Sequence, residues 1–347
     1  MSIFDKYDLV DIDETFPIPS IPDEGLILIT GTSGSGKSTI LRSIFGCIDT
    51  IKFDSRSLYK NFSSESSAEN CLLACGLRTI PSWKRPYANL SNGEQHRAYC
   101  AKCIDCGIEY IDEFSSVVDR DTAKALSYSI QKWFRSSGRK RLILASCHSD
   151  IIEWLNPDHV YNTDLRQWDS KESCGRLLRR PSINLQIEAV DGKIFWPIFK
   201  KHHYLNSEFN KSANAFVGYI GAKPVAFCSI LRFPNANFSN GWREHRTVVI
   251  PEFQGLGIGT ALSECIAEMV LDAGGRFFSK TSHPSFGEHR NKSNKWRPTS
   301  KNGKKRLDYK EGQNTKEDGH KMKHRFRMCY SHEYIGEIGG DCECSRK

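Results

Sequence analysis

A glycine-rich segment near the start of the chain has the residue types and spacing that hold a phosphate chain. Residues 31–39 read GTSGSGKST and match the pattern G-x-x-x-x-G-K-[ST] at every position. The glycines allow backbone N–H groups to turn toward phosphate oxygens, and a helix that begins here adds a favourable dipole. Lys37 can reach the β- and γ-phosphates of a nucleotide, and the Ser38 hydroxyl can ligate Mg²⁺. The residues expected to contact the nucleotide are Gly31, Ser33, Gly34, Ser35, Gly36, Lys37, Ser38 and Thr39.

Two adjacent carboxylates and a histidine further along the chain could hydrolyse such a nucleotide. Residues 108–113, IEYIDE, are predicted to form a strand that ends in Asp112 and Glu113, and residues 142–145 form a strand that leads to His148. Side chains alternate between the two faces of a strand, so one carboxylate can face a metal ion and the other an attacking water. Phosphoryl transfer requires a positioned water, a divalent cation and fixed charge, which these residue types can supply.

The elements around these residues have an order that would bring them together. Residues 26–30, LILIT, form a short apolar run typical of a buried strand, and apolar residues recur at helical spacing from Ile40 to Phe45. Strand, glycine-rich loop and helix therefore follow one another as the phosphate-binding pattern requires. Residues 159–165 are predicted to form the last strand of this domain.

The segment LSNGEQHRA, residues 90–98, lies between the glycine-rich loop and the two carboxylates. With its motifs in this order, the first part of the chain resembles the ABC-class ATPases over about residues 20–165. The resemblance implies that the nucleotide is ATP. It also implies a homodimer formed through this domain, in which Ser91 and Gly93 of one chain close over the γ-phosphate bound by the other.

The resemblance to ABC-class ATPases further implies a role for each downstream residue. Asp112 would hold Mg²⁺ through water, with Ser38 as the second metal-binding residue. Glu113 would orient or deprotonate the attacking water, and His148 would sense the γ-phosphate. Asp119 would lie in the loop that joins the two sites of the dimer.

Several features depart from the pattern of transporter ATPases. No glutamine precedes Gln95, so the glutamine that normally ligates Mg²⁺ in this class is missing. Residues 40–90 leave little room for the helical subdomain through which transporter ATPases meet their membrane partners. Phe16 is the candidate for the aromatic residue that stacks on adenine. The first two features argue against a transporter role.

Some of these motifs also have purely structural interpretations. The LSNGE segment could be a helix cap, with Ser91 as the capping residue and Glu94 at the third position. His148 taken alone is typical of a core or loop histidine. Three cysteines follow the segment at a spacing that would permit a metal site, but free cysteines pack as small hydrophobic residues and we expect burial: Cys100, Cys103 and Cys106.

A second glycine-rich turn opens a helix in the other half of the chain. Residues 246–250, RTVVI, are predicted to form a strand, and residues 251–262, PEFQGLGIGTAL, lead from it into an amphipathic helix. Glycine amides at a helix N-terminus can bind a pyrophosphate without a lysine. The strand and its Q-x-x-G-x-G turn resemble the GNAT acyltransferase superfamily over about residues 180–335.

The resemblance to the GNAT superfamily implies acetyl-CoA or another acyl-CoA as the acyl donor. It also implies two splayed strands, from one of which the Val249 N–H polarises the thioester carbonyl. The residues that it assigns to acyl-CoA binding are Val249, Gln254, Gly255, Gly257, Gly259 and Thr260. The motif leaves the general base open among four candidates: Glu244, His245, His283 and Tyr330.

The basic residues of the chain are concentrated in its second half. Residues 1–150 carry 18 Lys+Arg against 19 Asp+Glu, whereas residues 151–347 carry 31 against 22. Residues 290–327 are the most basic stretch, with 14 Lys+Arg against 4 Asp+Glu, and contain Trp296 and Tyr309. This composition suits a surface that binds nucleic acid by phosphate contacts and base stacking. A solvated loop is the alternative interpretation.

These patterns predict two domains in the 347-residue chain. Residues 1–170 are expected to form an α/β P-loop NTPase domain of the ABC type, residues 171–181 a linker, and residues 182–347 an α+β GNAT-like domain with a basic insert at 290–327. The sequence has no apolar run of about 20 residues and no secretory signal, and its 13 cysteines are irregularly spaced. We therefore expect a cytoplasmic protein that does not cross a membrane.

The leading functional hypothesis is an ATPase with a fused N-acyltransferase, in which ATP-driven dimer closure gates acyl transfer to an amine acceptor. One alternative is an enzyme that modifies a nucleic-acid base or tRNA, of the GNAT-like kind that phages encode. Another is a non-catalytic regulatory protein or a transporter-type ATPase subunit.

Overall fold

The chain divides into two compact units, Met1–Pro181 and Ser182–Lys347, in the computed structural model. The structure describes residues 17–46, 51–169, 178–203, 208–236, 238–307 and 326–336. Several sequence features lie outside these described residues: Phe16, Tyr309 and residues 171–177 of the expected linker.

The first unit contains a mostly parallel sheet. The elements in chain order are β1 (Gly25–Thr30), α1 (Lys37–Phe45), α2 (Glu65–Ala74), α3 (Ile80–Trp83), α4 (Asn92–Asp105), β2 (Tyr110–Ile111), α5 (Arg120–Ser137), β3 (Arg141–Ser146), α6 (Ile152–Leu155), β4 (His159–Asn162) and β5 (Gln167–Asp169). The strands lie in the order β2-β3-β1-β4-β5, and β1 pairs in parallel with both β3 and β4. Since β2, β3 and β1 are parallel neighbours, the segments that follow their carboxyl ends meet at one edge of the sheet.

Strand β1 is buried on both faces because helices cover both sides of the sheet. Leu26 and Leu28 belong to a core that includes residues of α2, α4 and α5. Ile27 and Ile29 face the other way, into a smaller core formed with Ile40 and Leu41 of α1 and their neighbours. This arrangement explains why the strand reads as an uninterrupted apolar run.

The end of the first unit differs from the prediction of one strand over residues 159–165. Strand β4 ends at Asn162, and a turn that includes Arg166 at a φ of 53° reverses the chain. The extra strand β5 then pairs antiparallel with β4. Consequently Thr163 and Asp164 lie in a tight turn beside the end of β1.

The three cysteines near the LSNGE segment do not share one environment. Cys100 and Cys103 are buried in the core, as expected, whereas Cys106 is exposed. Burial raises the pKa of the Cys103 thiol to about 12, so this thiol stays protonated at neutral pH. Within the described part of the chain, no group of three or more His, Cys, Asp or Glu side chains could hold a metal ion.

The second unit is a mixed sheet with helices, and the α/β fold class predicted for the chain is confirmed. The elements are β6 (Gln186–Val190), α7 (Gly192–Phe199), β7 (Asn214–Ile220), β8 (Lys223–Arg232), β9 (Gly241–Val249), α8 (Ile258–Asp272), β10 (Arg276–Thr281), α9 (Pro284–Lys292), β11 (Trp296–Pro298), β12 (Lys304–Leu307) and β13 (Phe326–Tyr334). The main sheet has the order β11-β13-β10-β9-β8-β7-β6, and β12 pairs with β13.

The parallel neighbours β9 and β10 separate after a short paired stretch. Their register runs only from Gly241–Arg276 to Arg243–Phe278, although β9 continues to Val249. On the other edge of β9, the register with β8 shifts between Ser229 and Ile230, which leaves His245 as an extra residue. The two strands therefore splay over the second half of β9.

Two residues of the expected basic insert lie in the protein interior. Arg290 is 1% exposed, and Trp296 is 3% exposed with its ring against Phe277 and Tyr334. Their burial excludes them from a nucleic-acid surface and equally from a solvated loop, so both interpretations of residues 290–327 are wrong for these two residues. Charged residues that remain exposed include Lys304 and Lys305.

Candidate functional sites

The glycine-rich loop of the first unit forms the predicted turn between β1 and α1. Gly31, Gly34 and Gly36 have φ values of 150°, 82° and 92°, a region of backbone conformation that favours glycine. The first intrahelical hydrogen bond runs from Ile40 N to Gly36 O at 3.0 Å. The amides of residues 37–39 therefore precede the helical hydrogen-bond ladder, and they can bind an anion.

The side chain of Lys37 lies against the loop that it would use to hold phosphate. Its Nζ donates to Gly31 O at 2.9 Å and to Thr32 O at 2.6 Å, and the residue is 6% exposed. The ammonium group is thus already held at the mouth of the loop by backbone carbonyls.

Two residues in the turn after β4 brace this loop, and the sequence patterns did not identify them. Asp164 accepts hydrogen bonds from the Thr32 backbone N at 2.8 Å and from Thr32 Oγ1 at 2.7 Å, which lower the pKa of the Asp164 carboxyl. Thr163 Oγ1 lies 2.5 Å from Ser35 Oγ. A Cβ on Gly31 would stand 2.1 Å from Thr163 Oγ1, so the close approach of Thr163 requires glycine there. The available signal was the run of polar residues directly after an apolar strand.

The adjacent carboxylates lie just beyond β2 rather than within a strand. Strand β2 contains only Tyr110 and Ile111, and Glu113 has a φ of +51°. The simple alternation of faces expected for Asp112 and Glu113 therefore does not apply, because Glu113 leaves the extended conformation. Asp112 Oδ1 accepts from Glu113 N at 2.9 Å, and the Glu113 carboxylate accepts from Ser116 Oγ.

His148 follows β3 at the same edge of the sheet. Its Nδ1 lies 2.9 Å from Ser115 Oγ. Burial, with a contribution from the nearby Arg120 guanidinium, lowers the pKa of His148. Asp119 caps helix α5 by accepting from Thr122 N at 3.0 Å. The cap fixes the point at which the segment after Glu113, residues 114–118, joins this helix.

The LSNGE segment forms the N-terminus of α4. Ser91 and Glu94 make a reciprocal capping box, in which Glu94 Oε2 accepts from Ser91 N at 3.0 Å. The structural interpretation of this segment is thus correct, and it leaves first-turn amides beside Gly93 available to an anion. None of the described hydrogen bonds joins Ser91 or Gly93 to residues 31–39.

A cavity of about 330 Å³ lies at this edge of the first unit. It borders the start of the glycine-rich loop and the ends of β3 and β4. Its lining includes Gly31, Thr32, Cys147, Ser149, Asn162 and Asp164.

The second glycine-rich turn joins β9 to α8. Gly255 and Gly257 have φ values of 90° and 82°, and Gly257 caps the helix. The first intrahelical hydrogen bond runs from Ala261 N to Gly257 O at 3.0 Å, so the amides of residues 258–260 precede it. Gln254 Nε2 donates to Val249 O at 2.8 Å and ties the turn to the strand. A Cβ on Gly259 would meet Val249 Cγ2 at 3.1 Å.

Glu244, the first candidate for a general base, is held in a buried ion pair where β9 and β10 splay. Its Oε2 lies 3.1 Å from an amino group of Arg290, whose side chain is 2% exposed. The carboxylate also accepts from Ser279 and from Thr247, and Arg290 donates to Ser263 Oγ at 2.9 Å. Burial opposes ionisation of Glu244, but Arg290 and the hydroxyl donors prevail and lower its pKa. Glu244 therefore serves as the counter-ion of Arg290.

The other candidates for the base differ in environment. Burial, together with Arg246 and Arg243, lowers the pKa of His245 to about 4, so this ring is neutral at pH 7. His283 is the residue that precedes helix α9 and makes no side-chain capping hydrogen bond to it, and Tyr330 packs over Gly287, where a Cβ would come within 2.0 Å of the ring.

We expect Glu244→Gln to destabilise the second unit by about 3 kcal/mol, because the change leaves Arg290 buried without its counter-charge. A carboxyl whose folded pKa is lowered stabilises the protein above its unfolded pKa of about 4.3, and this contribution disappears as the pH falls through the folded pKa. The difference in the free energy of unfolding between the wild-type protein and Glu244→Gln, measured by urea denaturation, should therefore become smaller at acid pH.

Glu333→Gln is the matched control for this ion pair. Glu333 pairs with Arg276 and Arg297, whose side chains are 42% and 60% exposed, so water can replace the lost contact. Equal losses of stability in the two variants would contradict a special role for the buried pair.

Comparison with known protein families supports the resemblance inferred from the second glycine-rich turn. Residues 183–287 match the Acetyltransferase (GNAT) family. No curated protein matches the chain. Within the described residues, no helix has both the length and the apolar character needed to cross a bilayer.

Solved structures are similar to each part of the chain. A dimeric ATP-binding cassette in a post-hydrolysis state with ADP and Pi is 17% identical, with a TM-score of 0.34, over 42% of this chain and 83% of the cassette. An IAA acetyltransferase from Bacillus cereus is 15% identical, with a TM-score of 0.31, over 44% of this chain and 99% of its own. A GNAT family acetyltransferase from Elizabethkingia anophelis with acetyl-CoA bound is 10% identical, with a TM-score of 0.30, over 44% and 99%.

Proposed function

We propose that the chain is an ATP-hydrolysing protein with a fused acyl-CoA-dependent N-acyltransferase. The observation that carries the proposal is the presence of two separate glycine turns, each followed by a helix whose first amides precede its hydrogen-bond ladder: residues 37–39 of α1 and residues 258–260 of α8. Each arrangement suits a phosphate chain, and one of them has a lysine at its mouth. The family match of residues 183–287 supports the acyltransferase half.

In the proposed ATPase, residues that follow the ends of β1, β2 and β3 would bind and hydrolyse ATP. Backbone amides of residues 31–39 and Lys37 would bind the β- and γ-phosphates. Glu113 would take a proton from, or orient, the attacking water, and His148 would contact the γ-phosphate. The proposal is supported by the parallel order β2-β3-β1, which brings these three segments to one edge.

The oxygen donors near the glycine-rich loop suit Mg²⁺. Ser38 offers a hydroxyl and Asp112 a carboxylate, and hard oxygen ligands of this kind are those that Mg²⁺ prefers beside phosphates. Mg²⁺ bound there would neutralise the charge that develops on the phosphate oxygens.

In the proposed acyltransferase, the turn 254–260 would bind the pyrophosphate of acetyl-CoA or another acyl-CoA. The splay of β9 from β10 leaves room for the thioester beside β9, and the Val249 N–H would polarise its carbonyl. The acceptor amine would attack that carbon, its proton would pass to a base, and the thiol of CoA would leave.

We further propose that ATP closes a homodimer through the first unit and that closure gates acyl transfer. The capped N-terminus of α4 has first-turn amides beside Gly93 that can bind an anion, and Ser91 and Gly93 of a second copy would close over the γ-phosphate in this way. The acceptor class that suits this scheme is an amine, and Glu244 is not its base because Arg290 occupies it.

The direct test titrates the full-length protein with MgATP and with acetyl-CoA, separately and together. We expect both to bind without displacing each other, since their turns belong to different units. Competition between them, or failure of either to bind, would refute the two-site proposal. Release of free CoA with an amine library should rise when ATP is present, and Lys37→Ala should abolish this increase while acetyl-CoA binding persists.

A further inference from the structure

Two buried serines form a closed set of hydrogen bonds with His148. Ser115 and Ser146 are both 0% exposed. Ser115 Oγ lies 2.9 Å from His148 Nδ1 and 2.6 Å from Ser146 Oγ, and the His148 backbone N–H donates to Ser146 Oγ at 3.0 Å. The set therefore begins and ends on the same histidine, at its backbone and at its ring.

The number of protons in this set decides the direction of its hydrogen bonds. Each hydroxyl has one proton to donate, and burial keeps both serines from water. If Ser146 donates to Ser115 and Ser115 donates to His148 Nδ1, both hydroxyl protons have acceptors. In the reverse direction, the proton of Ser146 finds no acceptor among the residues that the structure describes, and a buried donor without a partner is unfavourable.

We infer that Ser115 and Ser146 are positioning residues that hold His148 as the tautomer protonated on Nε2. In a neutral imidazole one nitrogen donates and the other accepts, and the partner of one nitrogen fixes the role of the other. With Nδ1 held as an acceptor, Nε2–H is the donor that His148 offers to an anion. This inference rests on the proposed function for its consequence, which is a hydrogen bond from Nε2–H to the γ-phosphate of ATP.

The charged groups around His148 agree with a neutral ring. Its burial and the Arg120 guanidinium lower its pKa, while Asp150 and Glu113 act in the opposite direction without reversing the shift. An imidazolium would carry protons on both nitrogens, and its Nδ1–H would force the unfavourable direction on the serines.

Tautomer measurement on the full-length protein tests the inference without ATP. In protein with ¹⁵N-labelled histidine, with His148→Gln used to assign the signal, we expect Nε2 of His148 to carry the proton near pH 7. In Ser115→Ala we expect the other tautomer to gain population, whereas Ser115→Thr keeps the hydroxyl and should retain the wild-type signal. A wild-type ring protonated on Nδ1 would overturn the inference.

The kinetic consequence needs a control for simple loss of a buried hydroxyl. Ser115→Ala should lower kcat for ATP hydrolysis at least about tenfold with KM for ATP within about twofold, because only the orientation of a donor to the reacting phosphate changes. Ser127 is also fully buried, and among the described residues its hydroxyl bonds Ala123 O alone, so Ser127→Ala should keep wild-type kcat.

The outcomes separate this inference from the proposed function. Equal loss of kcat in Ser115→Ala and Ser127→Ala would overturn the positioning role while ATP hydrolysis stands. Absence of ATP hydrolysis in the wild-type protein would refute the proposed function, and the tautomer signals would still decide how the serines hold His148. Wild-type kcat in Ser115→Ala with an altered tautomer would refute the link to the γ-phosphate.

Discussion

Glu113→Gln should lower the rate of ATP hydrolysis at least about 100-fold and leave ATP binding close to wild type. A positioned general base contributes about 10²- to 10⁴-fold to a proton transfer, and glutamine keeps the shape of the side chain but cannot accept the proton. The glycine-rich loop proposed to bind the phosphates is a separate segment, residues 31–39, so the affinity for MgATP should change little. Phosphate release and ATP titration on the same preparation measure the two effects.

The conformation of Glu113 makes this prediction specific. Its φ of +51° turns the residue out of the strand, and its carboxylate bonds Ser116 Oγ, with no ion pair to any residue that the structure describes. If this carboxylate formed part of a structural ion pair, its neutralisation would instead destabilise the folded protein. We therefore expect Glu113→Gln to unfold at the same urea concentration as the wild-type protein.

Glu109→Gln is the matched control, since it neutralises a carboxylate four residues earlier in the same segment. Glu109 is exposed and pairs with Arg141 at 2.6 Å, on the opposite end of β2 from the proposed site. Its loss should leave hydrolysis unchanged. If Glu113→Gln retained turnover within about twofold of wild type, Glu113 would not be the base.

The local patterns predicted the parts of the fold that neighbouring residues determine. The apolar run 26–30, the glycine turn 31–36 and the helix that follows depend on adjacent residues, and the structure contains this unit. The same holds for β9, its glycine turn and α8. The family match and the mixed α/β architecture confirm the predicted class of the second half of the chain.

The missed residues are those whose partners are distant in the sequence. Asp164 reaches Thr32 across 132 positions, and Arg290 reaches Glu244 across 46. Neither contact follows from periodicity or from a turn motif, because the pairing of strands and the packing of helices bring the partners together. The charge of Arg290 is visible in the sequence as part of the basic stretch 290–327, but its burial is not.

The sequence predicted which residues form the candidate site, and the experiments on Glu113 and Ser115 test what those residues do. The sequence indicated adjacent carboxylates and a following histidine, and the structure locates them at neighbouring strand ends. It could not indicate that Ser115 and Ser146 contact His148, because serine occurs commonly in loops and its hydrogen bonds depend on the fold. Residues that hold a site residue in place from elsewhere in the chain are the part of a site that a motif does not contain.

Gly259→Val should weaken the binding of acetyl-CoA by about 100-fold while the affinity for ATP stays unchanged. A Cβ at this position already meets Val249 Cγ2 at 3.1 Å, and the two further methyl groups of valine would push the start of α8 away from β9. The amides of residues 258–260 would then lose their common direction. Hydrogen bonds to a charged group are each worth about 1.5–3 kcal/mol, so the loss of one or two accounts for an effect of this size.

Two companion variants separate the close approach of Gly259 and Val249 from a general effect on the helix. Ala273→Val adds two methyl groups at the exposed residue that follows the C-terminal end of α8 and should bind acetyl-CoA normally. Val249→Ala removes the methyl groups that Gly259→Val would strike but keeps the backbone N–H, so the double variant should recover part of the affinity. If Gly259→Val bound acetyl-CoA as well as the wild-type protein, the turn 254–260 would not be the pyrophosphate site. If the double variant recovered nothing, Val249 would not be the residue that demands glycine at position 259.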